Sequence, residues 1–181
     1  MNKLFYCLAF VLAVFSGHAA AEGEGRLGLR LAPAALGQSL ALQQHLHVER
    51  GARSDDLDAA LEIDADALTL VGMAFGQKVL SLHYDGSSLQ SWRHPRLPEQ
   101  VRSEDVLEDI QLTYWPLEAI RPALPAGWEI VDEAQRRTLS RDGAVMMVIE
   151  YGNPARWPGE VRISNLRYGY RLTIQSVLTG P

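Results

Sequence analysis

From residue 38 onward the sequence is dominated by short runs in which apolar and polar residues alternate, and only one stretch departs from that period. In "SLALQQHLHVER", Leu40, Leu42, Leu46 and Val48 fall on one side of an extended chain. "LDAALEID" puts Leu57, Ala59, Leu61 and Ile63 on one side and Asp58, Glu62 and Asp64 on the other. A two-residue period of this kind is the mark of strands, because successive side chains point to opposite faces. "DALTLVGMA", "KVLSLHYDG" and "SSLQSWRHP" continue the series, with Asp85-Gly86 as a turn signal. The first half is therefore expected to be an antiparallel meander.

Between residues 103 and 124 the period becomes helical. "SEDVLEDIQLTYW" offers Ser103 as N-cap, Glu104 and Asp105 in a first turn whose dipole favours acids, and Leu107, Ile110 and Tyr114 at helical spacing. Pro116 ends this helix and suits the first position of a second, "PLEAIRPAL", which Pro122 cuts short. The strands "WEIVDE", "RRTLSRDG", "AVMMVIEYG", "GEVRISNLRYG" and "YRLTIQSVL" then follow.

About ten strands around one helical insertion predict a mainly β (α+β) fold. The expected form is a curved antiparallel sheet or incomplete β-barrel with a helical lid. Both parities of "LTLVGMAF" and "AVMMVIEY" are largely apolar, so these strands are expected to be covered on both faces.

The start of the chain bears on compartment. Lys3, the apolar run "LFYCLAFVLAVF" and the small residues of "SGHAAAEG" have the form of a secretory signal, with cleavage expected after Ala21. Residues 22–37 read as an N-terminal extension, and 38–178 as one domain. Cys7, the one cysteine, sits inside the apolar run, so the mature chain has no thiol to form a disulfide or carry lipid at its N-terminus. The periplasm is the expected location.

Net charge −5 with interspersed signs, and no basic-aromatic stripe, argue against nucleic acid as a partner. No catalytic motif is present: Gly86-Ser87 lies at a hairpin turn and not at a nucleophile elbow, and "GMAFGQK" lacks the ending of a phosphate loop. His45 and His47 share a strand face with Glu49, but no third local His or Cys completes a metal set. The acid pairs Asp55-Asp56 and Glu104-Asp105 read as loop and cap residues. No enzyme activity, metal or cofactor is expected.

One hairpin is unusual. "LTLVGMAFGQKVLSLHY" joins two apolar strands through "GMAFGQ", with Met73 and Phe75 at or beside a tip where small polar residues are usual. Taken with the acid-capped helix, "WPLEAIRPALPAGW", "LSRDGAVMMVIEY" and "VRISNLRYGYRLTI", the order of segments over residues 38–177 resembles the LolB and LolA superfamily of lipoprotein receptors and carriers. It is more similar still to an uncharacterised LolB-like lipoprotein family found in aryl polyene clusters.

The resemblance implies that Ala74-Phe75-Gly76 corresponds to a protruding apolar hairpin that touches the membrane. It also implies that Pro116, Leu117, Ile120 and Arg121 belong to a lid over an acyl-binding cavity. Trp92, Ile110, Tyr114, Trp115, Leu117, Ile120, Trp128, Met146 and Tyr151 are candidates for its lining. The receptor class carries a lipidated cysteine that this chain lacks, so a soluble, carrier-like protein at the outer membrane is expected.

Two functional classes follow. One is a non-enzymatic carrier of an acyl chain, as lipid, lipoprotein or polyene-type lipid, with transient membrane contact. The other is an interaction subunit of an export or cell-envelope assembly with a filled core.

Overall fold

The computed structural model describes residues 26–179; the expected leader 1–21, its cleavage point and Cys7 lie outside the described residues. Ten strands form one antiparallel sheet: β1 Leu40–Arg50, β2 Arg53–Ile63, β3 Leu68–Ala74, β4 Gln77–Tyr84, β5 Leu89–Arg93, β6 Trp128–Glu133, β7 Arg136–Arg141, β8 Ala144–Tyr151, β9 Gly159–Asn165 and β10 Tyr170–Leu178. The spatial order is β5-β4-β3-β2-β1-β10-β9-β8-β7-β6, so each five-strand meander runs outward from the central β1–β10 pair. The edges β5 and β6 do not meet. This is an open half-barrel, as the strand pattern predicts.

That order dictates where the helices go. β5 and β6 are consecutive in the chain yet lie at opposite edges, so residues 94–127 must cross the whole sheet. Nine strand spacings would amount to roughly 43 Å in a flat sheet, a distance that curvature shortens. The crossing is made by α1 Ser103–Tyr114, α2 Leu117–Ile120 and a short 3-10 turn at Arg121–Ala123.

α1 lies against the inner face. Its Tyr114 hydroxyl accepts from Gln44 Nε2, and the Tyr151 hydroxyl donates to Thr113 O. Leu107, Leu112, Trp115 and Ile120 are completely buried with Leu42, Leu61, Leu68, Leu82 and Leu139 of the sheet.

The registers place the turns at two ends. Gly51-Ala52, Phe75-Gly76, Asp142-Gly143 and residues 166–169 share what is here termed the upper end. Residues 64–67, 85–88, 134–135 and 152–158 share the lower end. α1 runs from upper to lower.

Three expectations are corrected. The cap residue of α1 is Arg102, extended at φ −101° and ψ 141°, so the helix begins at Ser103 with no side-chain cap. The expectation that β3 and β8 are covered on both faces fails: the cover is one-sided, and Val145 on β8 is exposed. The end of the "extension" is structural: Leu27, Leu29 and Leu31 are buried in the core, and residues 26–32 run beside α1 as a strap. The Leu31 amide donates to Gln111 Oε1, Gln111 Nε2 donates to Leu31 O, and Trp115 Nε1 donates to Ala32 O.

Candidate functional site

The two ends of the inner face differ in how well they are covered. At the lower end, Leu40, Leu42, Leu61, Ile63 and Leu68 are buried. At the upper end Leu46, Val48, Leu57 and Leu172 are only half-buried, although they point to the same side. They form one surface, since Leu46 pairs with Leu57 and with Ile174, and Val48 with Leu172. Val106 and Ile110 of α1, also half-buried, pack on the core from the helix side. Gly72 faces this surface from β3, where an added Cβ would stand 3.6 Å from Leu80 Cβ and 3.9 Å from Leu57 Cδ1. An incompletely covered apolar strip thus runs to the upper rim.

The β3–β4 hairpin projects from that rim. Phe75 at its tip is fully exposed. Ala74 pairs with Gln77, leaving Phe75-Gly76 as a two-residue loop with φ of 50° and 72°. Such a turn needs positive φ at both positions and is normally filled by Asn-Gly. A bulky ring there holds a left-handed backbone that costs roughly 1 to 2 kcal/mol. A bulge in the pairing with β3 at Gly72/Met73 leaves Val79 of β4 unpaired. Met73 and Lys78 are cross-strand partners beyond it, and the Lys78 ammonium lies 4.8 Å from the Trp92 ring centroid. Trp92, at 43% exposed, pairs with Ser81 while Leu80 and Leu82 are buried, so it lies on the outer face and not under the cover. That corrects its nomination as a cavity residue.

The other nominated residues are dispersed by the fold. Tyr114, Trp115 and Leu117 come together at the lower end, lining a cleft of about 360 Å³ with Leu36, Pro154 and Trp157. Glu118 and the Asp132–Arg156 ion pair complete it. Ile120 is fully buried and Ile110 half-buried in the packing of the helices. Trp128 is buried on β6, with the Arg141 guanidinium 5.8 Å from its ring centroid. Met146 is the extra residue of a bulge in β8. Burial pushes the hydroxyls of Tyr114 and Tyr151 up to about 12, so both stay neutral hydrogen-bonding groups. A second cleft, about 480 Å³, lies over β1 and β10 and is lined mainly by polar residues such as Gln43, His45, Asp58 and Glu160.

Sequence reasoning missed the charges that fix α1. Asp105, Glu108 and Asp109 are buried on the helix face towards the sheet and strap. The Arg26 guanidinium contacts Asp105 at 2.7 Å, and Arg167 Nη1 and Nη2 donate to Glu108 and Asp109. Asn165 and the Tyr170 hydroxyl also donate to Asp109, and the Tyr168 hydroxyl donates to Asp105. Glu108 accepts from the amides of Leu27 and Gly28. Asp105 is therefore an ion-pair partner and not merely a cap residue. Burial, helped by the neighbouring Glu108 charge and opposed by Arg167, pushes the Asp109 carboxyl up to about 7.

At the other end of α1, Arg137 is 1% exposed and donates to Leu112 O and Trp115 O as well as to Asp132. It satisfies carbonyls that a helix C-terminus leaves without partners.

His45 and His47 meet acids from the next strand. His45 Nδ1 is 2.9 Å from Asp58 and His47 Nδ1 2.8 Å from Asp56, all on the outer face. The Asp56 hydrogen bond raises the His47 pKa. Among the described residues no group of three or more His, Cys, Asp or Glu is placed to hold a metal ion. No helix among them is long and apolar enough to cross a membrane.

The family model described as "Protein of unknown function (DUF3261)" matches residues 41–178, which takes in all ten strands and the helical cover. The chain belongs to the DUF3261 family. No curated protein matches this DUF3261 member. Among solved structures it is similar to a DUF1329 family protein from Desulfovibrio piger, at 13% identity and a TM-score of 0.28, over 80% of this chain and 87% of that one.

Proposed function

We propose that this DUF3261 protein is a non-enzymatic binding protein for an acyl-chain ligand, such as a lipid or the lipid tail of a lipoprotein, which it takes up or releases at a membrane surface. The exposed ring of Phe75 at a strained turn carries this reading. Asn at that position would relieve strain and expose less apolar surface, so the ring stands there at a cost to local stability. It stands at the same end as the half-buried strip of Leu46, Val48, Leu57 and Leu172. Trp92 and Lys78 beside it have the amphipathic character of groups that settle at a membrane interface. The leader-like start of the chain supports a periplasmic site of action.

The test uses the mature protein and vesicles of phosphatidylethanolamine and phosphatidylglycerol in a flotation assay. Phe75→Asn is expected to weaken vesicle binding about tenfold to a hundredfold, the loss of one buried phenyl group. Its melting temperature should stay the same or rise. Unchanged vesicle binding would count against membrane contact, and a fall in melting temperature would show that the ring is needed for packing.

A second reading rests on the packing under the cover. Leu107, Leu112, Trp115 and Ile120 are wholly buried there, which favours an interaction subunit of an envelope assembly that carries no ligand. Under the carrier reading, the ligand enters by lifting part of α1.

A further inference from the structure

The two ends of α1 are fastened by different chemistry. The lower end is held by the Arg137 guanidinium on Leu112 O and Trp115 O, the Tyr151 hydroxyl on Thr113 O, the Trp115 indole on Ala32 O and Gln44 on Tyr114. Their acceptors on this stretch are backbone carbonyls and a phenol oxygen, and none is a carboxylate. The upper end is held by carboxylates. Asp105, Glu108 and Asp109 of α1 face Arg26 of the strap and Arg167 of the β9–β10 turn. The surrounding groups are Asn165 of β9, Tyr168 of the turn and Tyr170 of β10, with Glu104 on the helix beside Arg26 and the Arg50 guanidinium 5.6 Å from the Tyr170 ring centroid.

Among the described residues, three carboxylates of α1 are set against two guanidiniums, and Glu108 and Asp109 both pair with the same one, Arg167. Asp109 bears this imbalance most directly: it is buried beside Glu108 and shares the Arg167 guanidinium with it, although Asn165 and the Tyr170 hydroxyl also donate to it and favour its charged form. With Asp109 ionised, two adjacent buried carboxylates share the Arg167 guanidinium, and that repulsion favours a state in which they reach water. The part of the helix that would yield is the part beside the half-buried apolar strip.

We infer that the Asp105–Glu108–Asp109 cluster with Arg26 and Arg167 is a releasable clasp, which holds the upper turns of α1 on the sheet and governs access to the apolar face beneath them. This rests on the acyl-binding reading for its purpose but not for its physics. In the closed state the Asp109 carboxyl titrates near 7, whereas in a lifted, hydrated helix it returns to the usual range near 4. A group with a raised closed-state pKa favours closure fully below about pH 4 and loses that contribution as pH rises to about 7. Opening therefore grows across that window and levels off above it.

Hydrogen exchange of the mature protein, read for residues 105–110 and 111–115 separately and corrected for intrinsic rates, tests this. Opening of 105–110 should increase about tenfold or more between pH 5 and pH 7, while 111–115 changes little. Asp109→Asn, which keeps an acceptor for Arg167 and Tyr170, should abolish the increase. Arg26→Gln, at the rim of the cluster, should raise opening at pH 5. Exchange of both halves together, no increase at 105–110, or an increase that survives Asp109→Asn would overturn the clasp.

A fluorescent fatty acid titrated at both pH values keeps the two proposals apart. If local opening follows the pattern above but no probe binds, the clasp stands and the carrier reading falls. If the probe binds equally at both pH values and exchange at 105–110 does not respond, the clasp falls and the carrier reading stands.

Discussion

Arg137→Met is expected to destabilise the protein by about 3 to 5 kcal/mol, the usual cost of removing one partner from a buried charge network. Arg137 sits on β7 directly across from Asp132 of β6, and its guanidinium spans from that carboxylate to the last carbonyls of α1. Methionine fills much of the volume but leaves Leu112 O and Trp115 O without this donor. Asp132 would retain Arg156, whose Nη1 lies 2.7 Å away. A second consequence concerns acid. Burial alone would push the Asp132 carboxyl up, but the hydrogen bonds and charges of Arg137 and Arg156 outweigh it and leave the pKa below its ordinary value. A carboxylate with a lowered folded-state pKa contributes stability above its unfolded pKa near 4, and that contribution is lost as pH falls through the folded value. In Arg137→Met the acid-induced loss should begin at higher pH. Denaturant titrations of both proteins between pH 3 and pH 7 would show it; equal stability at pH 7 would mean that Arg137 does not secure the helix.

Trp115→Ala should be as damaging, again by about 3 to 5 kcal/mol, through the cavity left by a large buried ring. The ring is wholly buried where α1 meets Pro116, and its Nε1 donates to Ala32 O, so one side chain joins the helix, the strap and the core. The loss should be local before it is global. Hydrogen exchange is expected to show residues 27–32 released first, since their remaining ties at this end are the two bonds with Gln111. Trp115→Phe, which keeps most of the volume and removes the indole donor, should cost much less. A strap that stays protected in Trp115→Ala would contradict this account of how it is held.

The strands were legible because their signal is local. Leu40-Leu42 and Leu57-Ala59-Leu61-Ile63 alternate over a few residues, and the turns at Asp85-Gly86 and Asp142-Gly143 announce themselves. The apolar hairpin tip was legible for the same reason, as a departure from turn chemistry. The charge network was not. Asp105 and Glu108 look like surface positions until Arg26 and Arg167, 79 and 59 positions away, are brought against them. Arg137 in "RRTLSR" has the alternation of an ordinary half-exposed strand, and nothing nearby says that its inward neighbour is a helix end. One signal was available and unused: "RLGLRLAP" alternates Leu27, Leu29 and Leu31, which marks a segment that packs. Of the aromatic residues expected to line a cavity, Tyr114 and Trp115 line the lower cleft while Trp128 and Tyr151 are buried. Large rings here mostly fill space, and Trp92 sits on the opposite face.

The charge separation along α1 also explains why a packed interior is compatible with ligand uptake. A helix tied below through its own carbonyls and above through carboxylates that share a guanidinium is built to yield at one end, beside the hairpin that carries Phe75. Native mass spectrometry of the protein purified from its native cells tests the central claim most directly. The account predicts a mass excess that fragmentation identifies as an acyl lipid or lipopeptide, reduced in Phe75→Asn. A protein that is wholly free of lipid, and remains so after incubation with vesicles, would contradict it.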